Sequence, residues 1–184
     1  VSHAGLLALV VDLIGERLAF QRSAVRLYEA LAAKAAAVTP TTGAPTAQAL
    51  SALADEKLGH VGTLVVALEE LGGDPVRPSS ALAAATAATT NGALRVVTDP
   101  HATLTQALFA TLGAELLDNE AWTLLGDLAE RLGYEHQGLA GSFRQALVDE
   151  ERHLDRLRTW LTAGLEAQAG LTRRRVPHEA HAQP

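Results

Sequence analysis

The residues best suited to chemistry lie in the run Glu150-Glu151-Arg152-His153. Residues three apart share one face of a helix, so a carboxylate and an imidazole at 150 and 153 point the same way. Lys57 and His60 repeat that spacing of three earlier in the chain. Gln21 and Glu115 are polar residues set on the apolar seams of their helices. Carboxylates and imidazoles are the oxygen and nitrogen donors that suit iron, manganese or zinc. An ammonium placed among them neutralises the carboxylates instead. The chain has no cysteine, which excludes disulfides, thiolate nucleophiles, iron–sulfur clusters and Cys-ligated zinc.

Proline marks where the positioning elements can run. It occurs at 40, 45, 75, 78, 100, 177 and 184 and nowhere else, and a helix interior disfavours it by roughly 3 kcal/mol. Four proline-free stretches with helical periodicity follow: 3–37, 46–72, 101–133 and 136–168. Apolar residues are 48 % of the chain and aromatics only 4 %, an Ala/Leu-rich composition that favours helix over sheet. Asp99-Pro100 reads as an N-cap with Pro at the first helical position, and Gly72-Gly73 and Gly133 read as stops. Short links make two antiparallel hairpins. Residues 73–100 form a crossover, with a short helix near Ala93–Val97. The expected ordered domain is 1–171. The tail 172–184, with Arg173 to Arg175, His178 and His181, lacks periodicity.

Each helix carries polar residues in the middle of its apolar seam: Gln21 in the first, Lys57 and His60 in the second, Glu115 and Asn119 in the third, Glu150 and His153 in the fourth. Burying polar groups unpaired costs several kcal/mol each, so they are expected to meet. Glu115, Glu150 and His153 each lie 93 or 94 positions after Gln21, Lys57 and His60 respectively, and Trp122 lies 94 after Tyr28. The chain thus reads as two related hairpins about a pseudo-twofold axis.

A carboxylate on one helix of each hairpin and Glu-x-x-His on the other resembles the ferritin-like di-iron carboxylate family. The resemblance spans about residues 3–168. It implies an all-α, ferritin-like four-helix bundle with a long crossover between helices 2 and 3. In that family the position of Gln21 is a terminal Glu ligand and that of Lys57 is a Glu bridging two metals. Half of the site stands here as Glu115, Glu150 and His153; the other half keeps only His60. Lysine is scarce, only Lys34 and Lys57 against thirteen Arg. The Lys57 ammonium is expected to pair with Glu150 and Glu115 where a metal would sit, offsetting part of their desolvation. Glu56 and Asp55 on one helix, and Asp149 and Glu151 on another, read as solvated flanks. Gly59 and Gly62 read as sites of close approach by a helix or by Trp122.

The resemblance with these departures implies a ferritin-like protein with a degenerate di-iron centre, a non-catalytic structural or interaction module without cofactor. The alternative is a metal-dependent oxidoreductase or ferroxidase with one iron, manganese or zinc ion on Glu115, Glu150, His153 and His60. A third reading is a small-molecule-binding bundle with the crossover as lid. A homodimer through a helical face is expected. A formal charge of −6 gives no electrostatic reason to bind nucleic acid or an anionic membrane. The apolar run Leu6–Val11 is too short to span a bilayer and lacks a basic leader, so a bacterial, cytoplasmic setting is expected.

Overall fold

The computed structural model describes residues 3–76 and 81–171. The expectations for the tail, including His178 and His181, lie outside the described residues. The order is α1 (His3–Ala36), α2 (Ala47–Glu70), α3 (Ala81–Thr98), α4 (Leu104–Glu130), a 3₁₀ turn (Tyr134–His136) and α5 (Gln137–Gln168). No strand occurs among the described residues, and no helix among them is long and apolar enough to cross a membrane. The protein is all-α.

The four long helices begin and end within a few residues of the proline-free stretches, for local reasons. Thr46 caps α2 by accepting from Ala49 N. Gly72, at φ 75°, follows α2 in a left-handed conformation that Gly alone adopts without strain. There Gly73 N donates to Leu68 O and Gly72 N to Glu69 O, closing the helix end in a Schellman motif.

The crossover is corrected. In place of a loop with a short helix near Ala93–Val97, residues Ala81–Thr98 form one 18-residue helix. Its Ala/Thr-rich sequence lacks the polar–apolar alternation that announces an amphipathic helix, but Ala-rich backbone is strongly helix-forming. The start of α4 is corrected too. Asp99-Pro100 is a turn rather than a cap: Ala102 N donates to Asp99 O, and the Asp99 side chain accepts from His101 N. The cap is Thr103, joined reciprocally with Gln106 in a capping box.

α1 packs along α2 and α4 along α5, while α3 lies against α1 and α4; α2 and α5 touch only briefly. The core falls into two apolar layers. Leu27, Leu31, Leu50, Leu53, Leu108 and Leu157 belong to one. Ile14, Leu18, Leu64, Trp122, Leu125 and Phe143 belong to the other. The buried polar residues of the sequence seam lie at mid-helix, flanked by these layers. Gly59 and Gly62 are not used as expected. A Cβ at either would meet nothing within 4 Å, and Trp122 packs instead on His60 and Phe143.

Candidate functional site

Lys57, wholly buried on α2, is the hub. Its Nζ donates to Asp118 Oδ2 at 2.7 Å, Glu115 Oε2 at 2.9 Å and Glu150 Oε2 at 2.5 Å. An ammonium has three N–H donors, and each finds a carboxylate. Burial pulls the Lys57 pKa down, but Asp118, Glu115 and Glu150 outweigh it and hold it above the ordinary lysine value. Burial pushes Glu150 up, and Lys57 outweighs that in turn, so Glu150 stays ionised below the usual carboxylate range.

Asp118 is the residue that the sequence reading missed. Asn119 was placed on the seam, but Asp118 faces the interior and Asn119 is only half-buried. Steps of three and of four both keep a helical seam, so Glu115 to Trp122 passes equally well through either residue. Asp118 also accepts from Gln21 Nε2 at 2.8 and 2.9 Å and from Arg17 Nη1 at 2.6 Å. Arg17 is 1 % exposed. It holds Glu16 in a two-point bond, at 2.9 and 2.7 Å, and lays its guanidinium 4.5 Å over the Phe20 ring. Neither Glu16 nor Arg17 was anticipated, because charged residues are rarely buried. The available signal was that Arg17 precedes Gln21 by four, on the same helix face.

The two histidines bind outward. His153 donates from Nε2 to Glu56 Oε2 at 2.9 Å and from Nδ1 to Glu150 Oε2 at 3.1 Å. Burial alone would lower its pKa, but the adjacent Glu115 and Glu150 carboxylates prevail and raise it to about 9. With a carboxylate at both nitrogens, His153 is an imidazolium at neutral pH. His60 Nε2 lies 3.4 Å from Asp149 Oδ2. Its Nδ1 is 2.9 Å from Glu150 Oε1, without the alignment of a hydrogen bond.

The reading of Glu56 and Asp149 as solvated flanks is therefore corrected. Each is partly shielded and reaches across the α2–α5 side to the histidine of the opposite hairpin. Arg156 and Arg152 hold these carboxylates from the solvent side. Both have pKa values below the ordinary range. Burial opposes this, but His153 prevails for Glu56, and Arg152 with His60 for Asp149. Asp55 and Glu151 are exposed.

All six seam residues, Gln21, Lys57, His60, Glu115, Glu150 and His153, are buried; hydrogen bonds link five of them, Gln21 by way of Asp118, while His60 approaches Glu150 as a charge contact only. Glu115, Glu150 and His153 could offer one ligand atom each, all within 4.8 Å of one another. Glu115 Oε1 and Glu150 Oε1 have no hydrogen-bond partner among the described residues. The donor set fits one divalent ion in reach, but both His153 nitrogens face carboxylates, and Lys57 occupies the other oxygen of each Glu. It does not fit two ions, because Gln21 and the Lys57 ammonium add no anionic donors. His60 does not join the three-residue cluster.

The Tyr28 hydroxyl and Trp122 Nε1 are also buried without a hydrogen-bond partner among the described residues. Burial, then the charge of Glu115, raises the Tyr28 pKa, so the phenol stays neutral. Tyr28 meets His153 edge-on at 6.5 Å, and Trp122 meets His60 edge-on at 5.5 Å. No protein-family model, curated protein or solved structure matches the chain.

Proposed function

We propose that the chain is a ferritin-like four-helix bundle whose di-iron centre has been replaced by protein cations, and that it serves as a non-catalytic structural or interaction module. The single observation that carries this reading is the buried Lys57 ammonium, bonded to Glu115, Asp118 and Glu150. A metal pair in a carboxylate bundle neutralises carboxylates. Here Lys57, Arg17 and the His153 imidazolium do so, facing Glu16, Glu115, Asp118 and Glu150. The α1/α2 and α4/α5 hairpins linked through α3 support the bundle assignment.

Elemental analysis of protein purified without chelator or added metal tests the reading. Substoichiometric iron, manganese and zinc is the expected result; two equivalents of iron or manganese overturns it. Glu115 Oε1 and Glu150 Oε1, without a hydrogen-bond partner among the described residues, favour one second reading, an oxidoreductase with a single ion on Glu115, Glu150 and His153. One tightly held equivalent decides for it. The proposal extends to a homodimer in a bacterial cytoplasm without nucleic-acid or membrane partners. Sedimentation equilibrium checks the oligomeric state.

A further inference from the structure

We propose that the bundle end where α1 stops and α2 and α4 start is a binding site for an uncharged, lipophilic small molecule. A cleft of about 600 Å³ opens there, inside the range of roughly 300–1,000 Å³ typical of small-molecule sites. Buried Leu108 and Ala35 lie at its floor, and Trp160 forms part of a wall. The space exists because its walls are built from small residues: Ala36, Ala44, Ala47, Gly164 and Ala167. A second hollow of about 330 Å³, lined by Phe109 and Leu165 among others, shares Thr105 and Gln168 with the first.

The ligand's lack of charge follows from the lining. Charged residues make up 20 % of the chain, yet among the described residues none lines either hollow. The polar side chains there are threonines and glutamines. Two helix starts border the cleft, but each is already capped: Thr46 accepts from Ala49 N, and Thr103 exchanges bonds with Gln106. Lys34, next to Ala35 in sequence, has its ammonium on the carbonyl oxygens of Asp99 and Ala102. An anion entering the cleft would lose water and find no cation, and a cation would find no carboxylate.

The walls are held by close contacts. A Cβ at Gly43, where φ is +80°, would lie 2.7 Å from Ala163 Cβ; one at Gly164 would lie 2.7 Å from Thr105 Oγ1. The loop thus lies close to α5 at Gly43, and α5 lies close to the Thr105 side chain of α4 at Gly164. The site is separate from the Lys57 centre and does not depend on the function proposed for it.

Titration of the full chain with the neutral probe N-phenyl-1-naphthylamine, read by probe fluorescence, tests this. Saturable binding of one probe per chain is expected. Dodecanol should displace it, and dodecanoate and dodecyltrimethylammonium should compete at least tenfold more weakly. Ala47→Phe and Ala167→Phe fill the cleft from different helices, and each should weaken binding at least tenfold with helix content unchanged by circular dichroism. Because the two variants are independent, misfolding of one leaves the other decisive. Non-saturable binding, equal competition by the charged amphiphiles, or full binding by a folded filling variant overturns the proposal. So does loss of the site on self-association, since a second copy would then be its occupant.

Discussion

Replacing Lys57 by Met keeps most of the side-chain length and removes three charge-assisted hydrogen bonds at once. Breaking a buried ion pair by deleting one partner typically costs about 3–5 kcal/mol. Three strong bonds, at roughly 1.5–3 kcal/mol each, would sum higher, but the stranded carboxylates limit the loss by taking up protons. About 3–5 kcal/mol at pH 7 is therefore the expected destabilisation. For a chain of this size each kcal/mol moves the melting temperature by about 2–4 °C, giving a fall of about 6–20 °C.

The pH dependence identifies the cause. In the parent, Glu150 is held below its ordinary pKa by Lys57. Its contribution is present above the unfolded-state value and fades as pH falls through the lower folded value. In the variant Glu115, Asp118 and Glu150 lose their shared ammonium, leaving Arg17 on Asp118 and His153 on Glu150 as the remaining cations, so carboxylate pKa values in the centre are expected to rise above the unfolded value. The native state then binds more protons than the unfolded state, and stability falls as pH rises, by up to about 1.4 kcal/mol per pH unit for each proton taken up. Urea denaturation at several pH values between 5 and 8 reads both effects. The gap between variant and parent should widen with pH. A loss under about 1 kcal/mol that does not vary with pH would refute the reasoning, because it would mean that the ammonium neutralises nothing.

Restoring carboxylates with Gln21→Glu and Lys57→Glu together should create a bundle whose melting temperature rises with Fe(II) or Mn(II), by mass action on the folded state; an equally large rise in the parent would contradict the charge-replacement reading. The His153 ring should titrate near 9 by NMR. Its raised pKa contributes stability that is fully present below about 6.5 and is lost as pH rises through about 9, a loss that His153→Gln should remove from the pH profile. Asp118→Asn should cost about 3–5 kcal/mol by chemical denaturation, since it removes a carboxylate shared by Lys57 and Arg17; a cost near that of a surface substitution would argue against Asp118 as part of the centre.

The four long helices were legible because proline is absent from their interiors and their apolar residues recur at three and four. The crossover helix was not. Residues 81–90 are Ala and Thr apart from Leu82, so few large apolar side chains mark a face for burial and the pattern is hard to read by eye. Asp99-Pro100 was ambiguous because Asp before Pro serves a helix start and a type I turn equally. The competing signal, Thr103 with Gln106 three residues on, is the stronger marker of a helix start.

The centre was legible as far as its pseudo-twofold pattern was followed, and that pattern explains what was overlooked. Asp149 follows Glu56 by 93 positions, the same offset that relates Glu150 to Lys57 and His153 to His60. In space the relation holds crosswise: Glu56 bonds His153 while Asp149 approaches His60, and Tyr28 packs on His153 while Trp122 packs on His60. Carrying the offset to the flanks would have brought both carboxylates into the centre. Symmetry fails where the charges were missed. Counterparts of Arg17 and Asp118 at offset 94 are Thr111 and Ala24, a buried hydroxyl bonded to its own helix and a methyl group. The two charged residues bond directly at 2.6 Å, and each has a further partner, Glu16 for Arg17 and Lys57 for Asp118. The second ammonium contact of that carboxylate ties the added pair to Lys57. Lys57, Asp118 and Arg17 therefore form one bonded unit, in which the lysine and the arginine face the same buried carboxylate.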